Sequence, residues 1–364
     1  MKVSIGSRIV EGPWGGGNLF AINLRDYLLK KGHEVIFDLS EKDIDVILLT
    51  DPRSKKESSS TFNHLDILKY KKLINPNVSV IQRINECDER KNTENINQLY
   101  LEASHISDHI IFVSSWLRNI YLNLGLEKSK TSVILAGSNK NIFNDANSLF
   151  WDGQEKLKIV THHWSSHMNK GFETYLAIDQ LLNDHYWSER YEFSYIGNLP
   201  DDFKFKNTKV ISPLHGENLA EKLKENHVYI TASKNEPSGN HHIEAAQCGL
   251  PILYINSGGI PEYSNGFGIV LGDLKDSIEK LRIKYPELKK KLKEYPFSSE
   301  KMCDQFVDIF EQIIVEKSSN QSYNLISIRG RTFLISNFLR RYFNISIYSN
   351  LIRSKIKKVL KNEH

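Results

Sequence analysis

Short runs rich in Val, Ile and Leu return along this chain, each followed by a glycine or polar turn and a helix-compatible stretch. That alternation admits few folds. Strands joined through helices pair in parallel, and a parallel sheet must be covered on both faces. In the first half the runs are Lys2 to Gly6, His33 to Phe37, Ile44 to Leu49, Val78 to Gln82, His109 to Ser115 and Thr131 to Gly137. A second set starts at Leu157 to Thr161 and continues with Glu192 to Gly197, Lys209 to Leu214, Val228 to Ala232, Ile252 to Ile255 and Phe267 to Leu271. Periodicity lapses between the two sets. The spacing therefore predicts an α/β protein of two doubly wound domains, which 364 residues suffice to build. The expected division is a first domain over 1–145, a linker over 146–156 and a second domain over 157–298. Helices are predicted over Asp276 to Lys284 and Ser299 to Val315, the second filling a crossover segment 299–316, and a basic tail occupies 317–364.

A hydrophobic fraction of 40% with 25% charged residues describes a globular chain, and the net charge of +4 is too small to imply nucleic-acid binding. The charge is unevenly placed. From Gln321 to His364 there are nine Lys/Arg and one acidic residue, a local +8, so residues 1–320 carry 4 − 8 = −4. Cys87, Cys248 and Cys303 are too few and too scattered for a disulfide framework. No apolar run reaches the length of a membrane span, and Lys2 leads directly into a strand, so the expected location is cytoplasmic.

The stretch from Asn235 to Pro251 concentrates the chemistry. Val228 to Ala232 reads as a buried strand, Pro237 and Gly239 break regular structure after it, and Asn240 is the expected N-cap of a helix stopped by Gly249 and Pro251. A loop entering a helix offers free N–H groups, from Gly239, Asn240 and His241, to an anion such as phosphate. Glu236 in the loop and Glu244 in the helix are acceptor-only when ionised. They can take the hydroxyls of a sugar and a ribose on either side of a diphosphate.

Glu236 and Glu244, the following Gly249-Leu250-Pro251, and Gly258-Gly259 with Glu262 together resemble the signature of family 4 retaining glycosyltransferases, the glycosyl transferases group 1. The resemblance spans roughly residues 1–315 and implies the GT-B fold, two Rossmann-like domains facing across a cleft. It implies that Glu236 holds the transferred sugar and Glu244 the ribose, with Ser238, Gly239, Asn240 and His241 about the diphosphate. Lys170, in a Lys-Gly pair after the Leu157 strand, is implied as the cation on the leaving group. Where the family pattern places an arginine ahead of that lysine, this chain has Ser165. Gly16 and Gly17 are implied to face the diphosphate from the first domain, and Pro213 and Leu214 to border the nucleobase. Arg83, Asn85 and Asp88 lie after the Val78 strand, on the implied acceptor side.

Rival readings exist for two of these segments. Asp38 stands where a dinucleotide fold keeps its ribose-binding acid, but Phe20 breaks the Gly-x-Gly-x-x-Gly spacing begun by Gly15 and Gly17. His162, His163, His167, His241 and His242 invite a metal, yet no zinc-ligand spacing accompanies them, so neither metal nor cofactor is expected. The implied activity is sugar transfer from a nucleotide diphosphate sugar to a hydroxyl of a lipid-linked or polysaccharide glycan. The alternatives are a GT-B sugar-nucleotide epimerase and a catalytically silent binding subunit. From Tyr323 to His364, outside the resemblance, aromatic and aliphatic residues alternate with Arg329, Arg331, Arg340, Arg341, Arg353, Lys355, Lys357, Lys358 and Lys361. Such a segment suits either an anionic membrane surface, at the inner face, or packing against its own domains.

Overall fold

The structure is a computed structural model, and it describes residues 1–10, 12, 15–53, 58–318 and 328–343. Two six-stranded sheets form, and every pairing within them is parallel. The first contains β1 (Lys2–Ile5), β2 (Glu34–Ile36), β3 (Val46–Leu49), β4 (Ser79–Ile84), β5 (His109–Phe112) and β6 (Thr131–Val133), in the order β2-β1-β3-β4-β5-β6. The second contains β7 (Leu157–His163), β8 (Tyr191–Gly197), β9 (Lys209–Ile211), β10 (Val228–Thr231), β11 (Ile252–Tyr254) and β12 (Gly268–Val270), ordered β12-β11-β10-β7-β8-β9. The central strands β3, β4 and β10 are buried along their whole length, which is why they read as unbroken apolar runs rather than alternating ones.

The order reverses between β1 and β3 in the first sheet and between β7 and β10 in the second. At such switch points the chain departs to opposite sides and leaves a crevice beyond the carboxyl ends of the strands. Both crevices open on one cleft of about 550 Å³. Residues 144–156 carry neither helix nor strand. The helix Ser299–Ser318 crosses back and packs on the helix Gly15–Lys30 of the first domain, where Phe20 and Phe306 have ring centroids 5.1 Å apart. Its return passes beside the departure. Ser138 and Ser298 form an isolated parallel bridge, the Ser138 N–H donates to the Phe297 carbonyl at 3.2 Å, and the Ser299 N–H donates to the Ser138 carbonyl at 2.8 Å.

Two local expectations need correction. Gly239, not Asn240, is the N-cap residue, and Asn240 begins the helix Asn240–Gln247. The helix expected to stop at Lys284 runs from Leu274 to Lys291 through Pro286. Pro286 faces solvent while Tyr285 and Leu288 hold the buried side, so water can take up the carbonyl that the ring leaves unbonded. In the tail, the helix Ile328–Phe343 packs on the helix His64–Leu73, with Phe333 6.5 Å from Tyr70 ring to ring. The tail residues 319–327 and 344–364, with Arg353, Lys355, Lys357, Lys358 and Lys361, lie outside the described residues. Among the described residues no helix is long and apolar enough to cross a membrane.

Candidate active site

Glu236 sits at the centre of the cleft wall contributed by the second domain, five residues beyond the end of β10 and only 5% exposed. Its backbone is fixed by the second glycine motif. The Gly259 N–H donates to the Glu236 carbonyl at 2.8 Å, and the Asn235 N–H donates to the Ser257 hydroxyl at 2.9 Å. Gly258 has φ +64°, and a Cβ there would lie 2.3 Å from the Glu236 carbonyl oxygen. That contact ties the glycine pair to the position of Glu236.

The Glu236 carboxylate bonds the Lys170 ammonium through one oxygen and stands 3.2 Å from the Arg90 guanidinium through the other. Burial pushes its pKa up, but Arg90 and Lys170 outweigh burial and hold it well below the usual carboxylate range. Glu236 is therefore ionised at any working pH. Lys170 ends a short turn after β7, and Arg90 reaches over from the segment after β4. Arg90 also pairs with Glu86 at 3.2 Å, and Lys91 with Glu86 at 3.4 Å.

Glu244, on the helix Asn240–Gln247, is 7% exposed, and its carboxylate lies 3.1 Å from His162 Nε2. The N-terminus of that helix points into the cleft, and Gly239 has φ +78°. A Cβ on Gly239 would meet the His241 ring at 2.7 Å and Glu236 Cγ at 3.0 Å. His241 Nε2 lies 2.8 Å from the Thr231 hydroxyl, and His163 Nε2 lies 2.7 Å from the Tyr175 hydroxyl. Burial keeps His163 and His241 well below the ordinary histidine pKa and pulls His242 down to about 3, so the three rings are neutral. Among the described residues no group of three or more His, Cys, Asp or Glu is arranged to hold a metal.

The cleft gathers Glu236, Lys170, Ser238, Gly239, Asn240, His241, Glu244, Pro213 and Leu214 from the second domain, and Gly16, Gly17, Arg83 and Asn85 from the first. Asp88 is not among its lining residues. The Asp88 carboxylate is turned inward, accepting N–H bonds from Ile96 and Asn97 at 3.0 Å each and the Thr93 hydroxyl at 2.9 Å, so it builds the loop instead of meeting a ligand. Arg90 and Lys91 line the cleft without having been singled out in the sequence, and His162, weighed there only as a metal ligand, lines it as well. Ser165, where the family pattern has an arginine, lines it too, and an arginine from the opposite wall, Arg90, reaches Glu236.

The walls are tied together. Asn169 Nδ2 donates to the Arg90 carbonyl and Asn235 Nδ2 to the Glu89 carbonyl, both at 3.0 Å. Glu262 accepts the N–H groups of Ser115 at 2.9 Å and Trp116 at 3.0 Å, capping the helix Ser115–Asn123 of the first domain. The Tyr263 hydroxyl donates to the Val113 carbonyl and accepts the Ala136 N–H. The third motif residue, Glu262, is thus an interdomain clamp. A second hollow, of about 290 Å³, lies beside it among Ser115, Leu135 and Met302, away from Glu236 and Lys170.

Residues 204–295, which include both glutamates and the glycine pairs, match the family described as Glycosyl transferases group 1. Among solved structures, sucrose-phosphate synthase from Thermosynechococcus elongatus superposes with TM-score 0.63 at 14% identity, covering 86% of this chain and 99% of that one. HepE from Anabaena in complex with UDP gives TM-score 0.63 at 12% identity, over 85% and 99% of the two chains. WaaG, a glycosyltransferase involved in lipopolysaccharide biosynthesis, gives 0.59 at 11% identity, again over 85% and 99%. At these identities the shared property is the fold, and the fold is GT-B. No curated protein matches the chain as a relative.

Proposed function

We propose that this GT-B chain is a retaining glycosyltransferase that moves a sugar from a nucleotide diphosphate sugar to a hydroxyl acceptor, without a metal ion. One observation carries the reading. Glu236 and Glu244, from the loop and helix after β10, and Lys170, from the turn after β7, converge on a single cleft together with an open helix N-terminus.

The roles follow from their chemistry. Glu244 takes the ribose hydroxyls, with the His162 ring fixing its carboxylate. The N–H groups at the start of Asn240–Gln247 and those of Gly16 and Gly17 take the diphosphate. Glu236 accepts the hydroxyls of the transferred sugar. On accepting them it releases Lys170, whose ammonium then faces the leaving phosphate and stabilises the charge that develops there. An oxocarbenium-like transition state is destroyed by stray water, and the ties between the two walls keep water out while the acceptor hydroxyl attacks. The departing phosphate takes the acceptor's proton, so no side chain is required as general base.

The acceptor class proposed is a lipid-linked or polysaccharide glycan at the inner face of the membrane. Support for the membrane comes from the tail helix, which buries Gly330 and Asn337 and leaves Arg329, Arg331, Ile335 and Leu339 exposed. Co-sedimentation with anionic vesicles tests that part.

HepE has been seen with UDP and with UDP-glucose, so uridine donors head the trial set, followed by GDP and ADP sugars. A ligand at 100 times its dissociation constant adds about 2.7 kcal/mol of stability, enough to identify the base by thermal shift. Transfer that depends on an added acceptor and vanishes in Glu236→Ala supports the proposal. Turnover without an acceptor marks an epimerase instead, and nucleotide binding without turnover marks a silent binding subunit.

A further inference from the structure

We infer that the guanidinium of Arg83 is the binding point for an anionic group, a phosphate or a carboxylate, carried by the acceptor. The word acceptor rests on the glycosyl-transfer reading; the anion does not.

Arg83 stands near the carboxyl end of β4, 5% exposed, and lines the cleft. Its guanidinium carbon lies 4.0 Å from the centre of the Phe20 ring. Among the described residues it makes neither an ion pair nor a side-chain hydrogen bond, which sets it apart from its neighbours. Arg53 is held by Asp51, Arg118 by the Thr131 hydroxyl, and Arg90 by Glu86 and Glu236. Burial lowers the Arg83 pKa to about 10, opposed only by the hydroxyls of Tyr263 and Tyr100, with no carboxylate acting on it.

A cation taken out of water without a counter-ion is costly, and native chains seldom keep one unless something arrives to pair with it. The Phe20 face offsets part of that cost through its quadrupole, but it engages none of the five N–H donors. A planar fork of donors fits a phosphate or carboxylate through two parallel bonds. The surroundings agree with this polarity. Nearby Glu86 is already taken by Arg90 and Lys91, and the first turn of Gly15–Lys30 carries no acidic residue. The site belongs to the acceptor because the second domain already supplies the diphosphate with Lys170 and the amides after Gly239, whereas Arg83 and Phe20 both belong to the first.

The test uses the full chain with Arg83→Met and Arg83→Lys, inorganic phosphate as the probe, and UDP, GDP or ADP at saturation to fill the donor side. Wild type should show a phosphate-dependent rise in Tm. Arg83→Met should weaken phosphate binding about tenfold or more while leaving the nucleotide response unchanged, and Arg83→Lys should retain part of it. Without ligand, Arg83→Met should melt no lower than wild type, because it removes a charge that has no partner. Equal phosphate binding in Arg83→Met would overturn the inference. So would loss of the nucleotide response along with it, which assigns Arg83 to the donor. So would a ligand-free Arg83→Met that melts lower or fails to fold beside a normal Arg83→Lys, which makes the cation structural. If no nucleotide binds wild type, the transfer reading fails, and the phosphate arm run alone still decides whether Arg83 holds an anion.

Discussion

The Arg90 guanidinium lies 3.2 Å from the Glu236 carboxylate, and the two residues belong to opposite walls of the cleft. Together with Lys170 it gives Glu236 two cations, so this carboxylate is both ionised and paired, and in the proposed reaction a sugar would displace those partners. Glu236→Gln keeps the shape and removes the charge. Transfer should fall by about 10² to 10³ while the far-UV circular dichroism spectrum is unchanged. A variant within a few-fold of wild type in kcat/KM would remove Glu236 from the reacting sugar.

Glu262 caps a helix of the opposite domain, which predicts a different signature. Glu262→Ala should cost about 1–2 kcal/mol, the worth of a helix cap, because the Ser115 and Trp116 N–H groups lose their acceptor. The two lobes should also part more readily, and small-angle scattering should report a larger radius of gyration. An unchanged radius would mean that the remaining ties, from Asn169, Asn235 and Tyr263, hold the lobes without Glu262.

At Gly258 the positive φ and the 2.3 Å approach of a Cβ to the Glu236 carbonyl act together. Gly258→Ala should lose about 1–3 kcal/mol and the nucleotide-induced rise in Tm as well, since Glu236 must shift to relieve the contact. Gly272→Ala, with nothing within 4 Å of its Cβ, is the matched control and should melt like wild type.

The buried histidines set the acid limit. His163, His241 and His242 are held neutral in the folded chain, chiefly by burial, whereas each takes a proton in the unfolded chain below its ordinary pKa of about 6.5. The unfolded state then binds more protons, so stability is present above pH ~6.5 and is lost as the pH falls below it. Each ring contributes about 1.4 kcal/mol per pH unit once the unfolded form is fully charged, or about 4 kcal/mol per unit for the three. Glu236, with its depressed pKa, adds to the loss in the same sense only below its ordinary value of 4.5. Urea midpoints at pH 7.5 and pH 5 should therefore differ sharply. Equal midpoints would show that the rings charge in the native state.

The architecture was readable because buried parallel strands announce themselves as unbroken apolar runs, and the glutamates because glycine and proline bracket them. The partners of those glutamates were not. Arg90 meets Glu236, and His162 meets Glu244, only after residues 146 and 82 positions apart are folded together, and no local pattern encodes such a meeting. Asp88 misled for the opposite reason: its position after β4 suited a ligand, but its oxygens were claimed by N–H groups eight and nine residues on. The helix expected to end at Lys284 runs on to Lys291 because Pro286 faces water, and the sequence prints a residue without the side it will face.

The bridge between Ser138 and Ser298 bears on how the molecule moves. The polypeptide leaves its first lobe and re-enters it at nearly the same point, and the two passes are bonded to each other. Two threads stitched at one spot make a pivot. The lobes can swing about it like the covers of a book but cannot slide past one another, so opening should be a rotation described by one angle, and a staple placed across the mouth should freeze the whole motion.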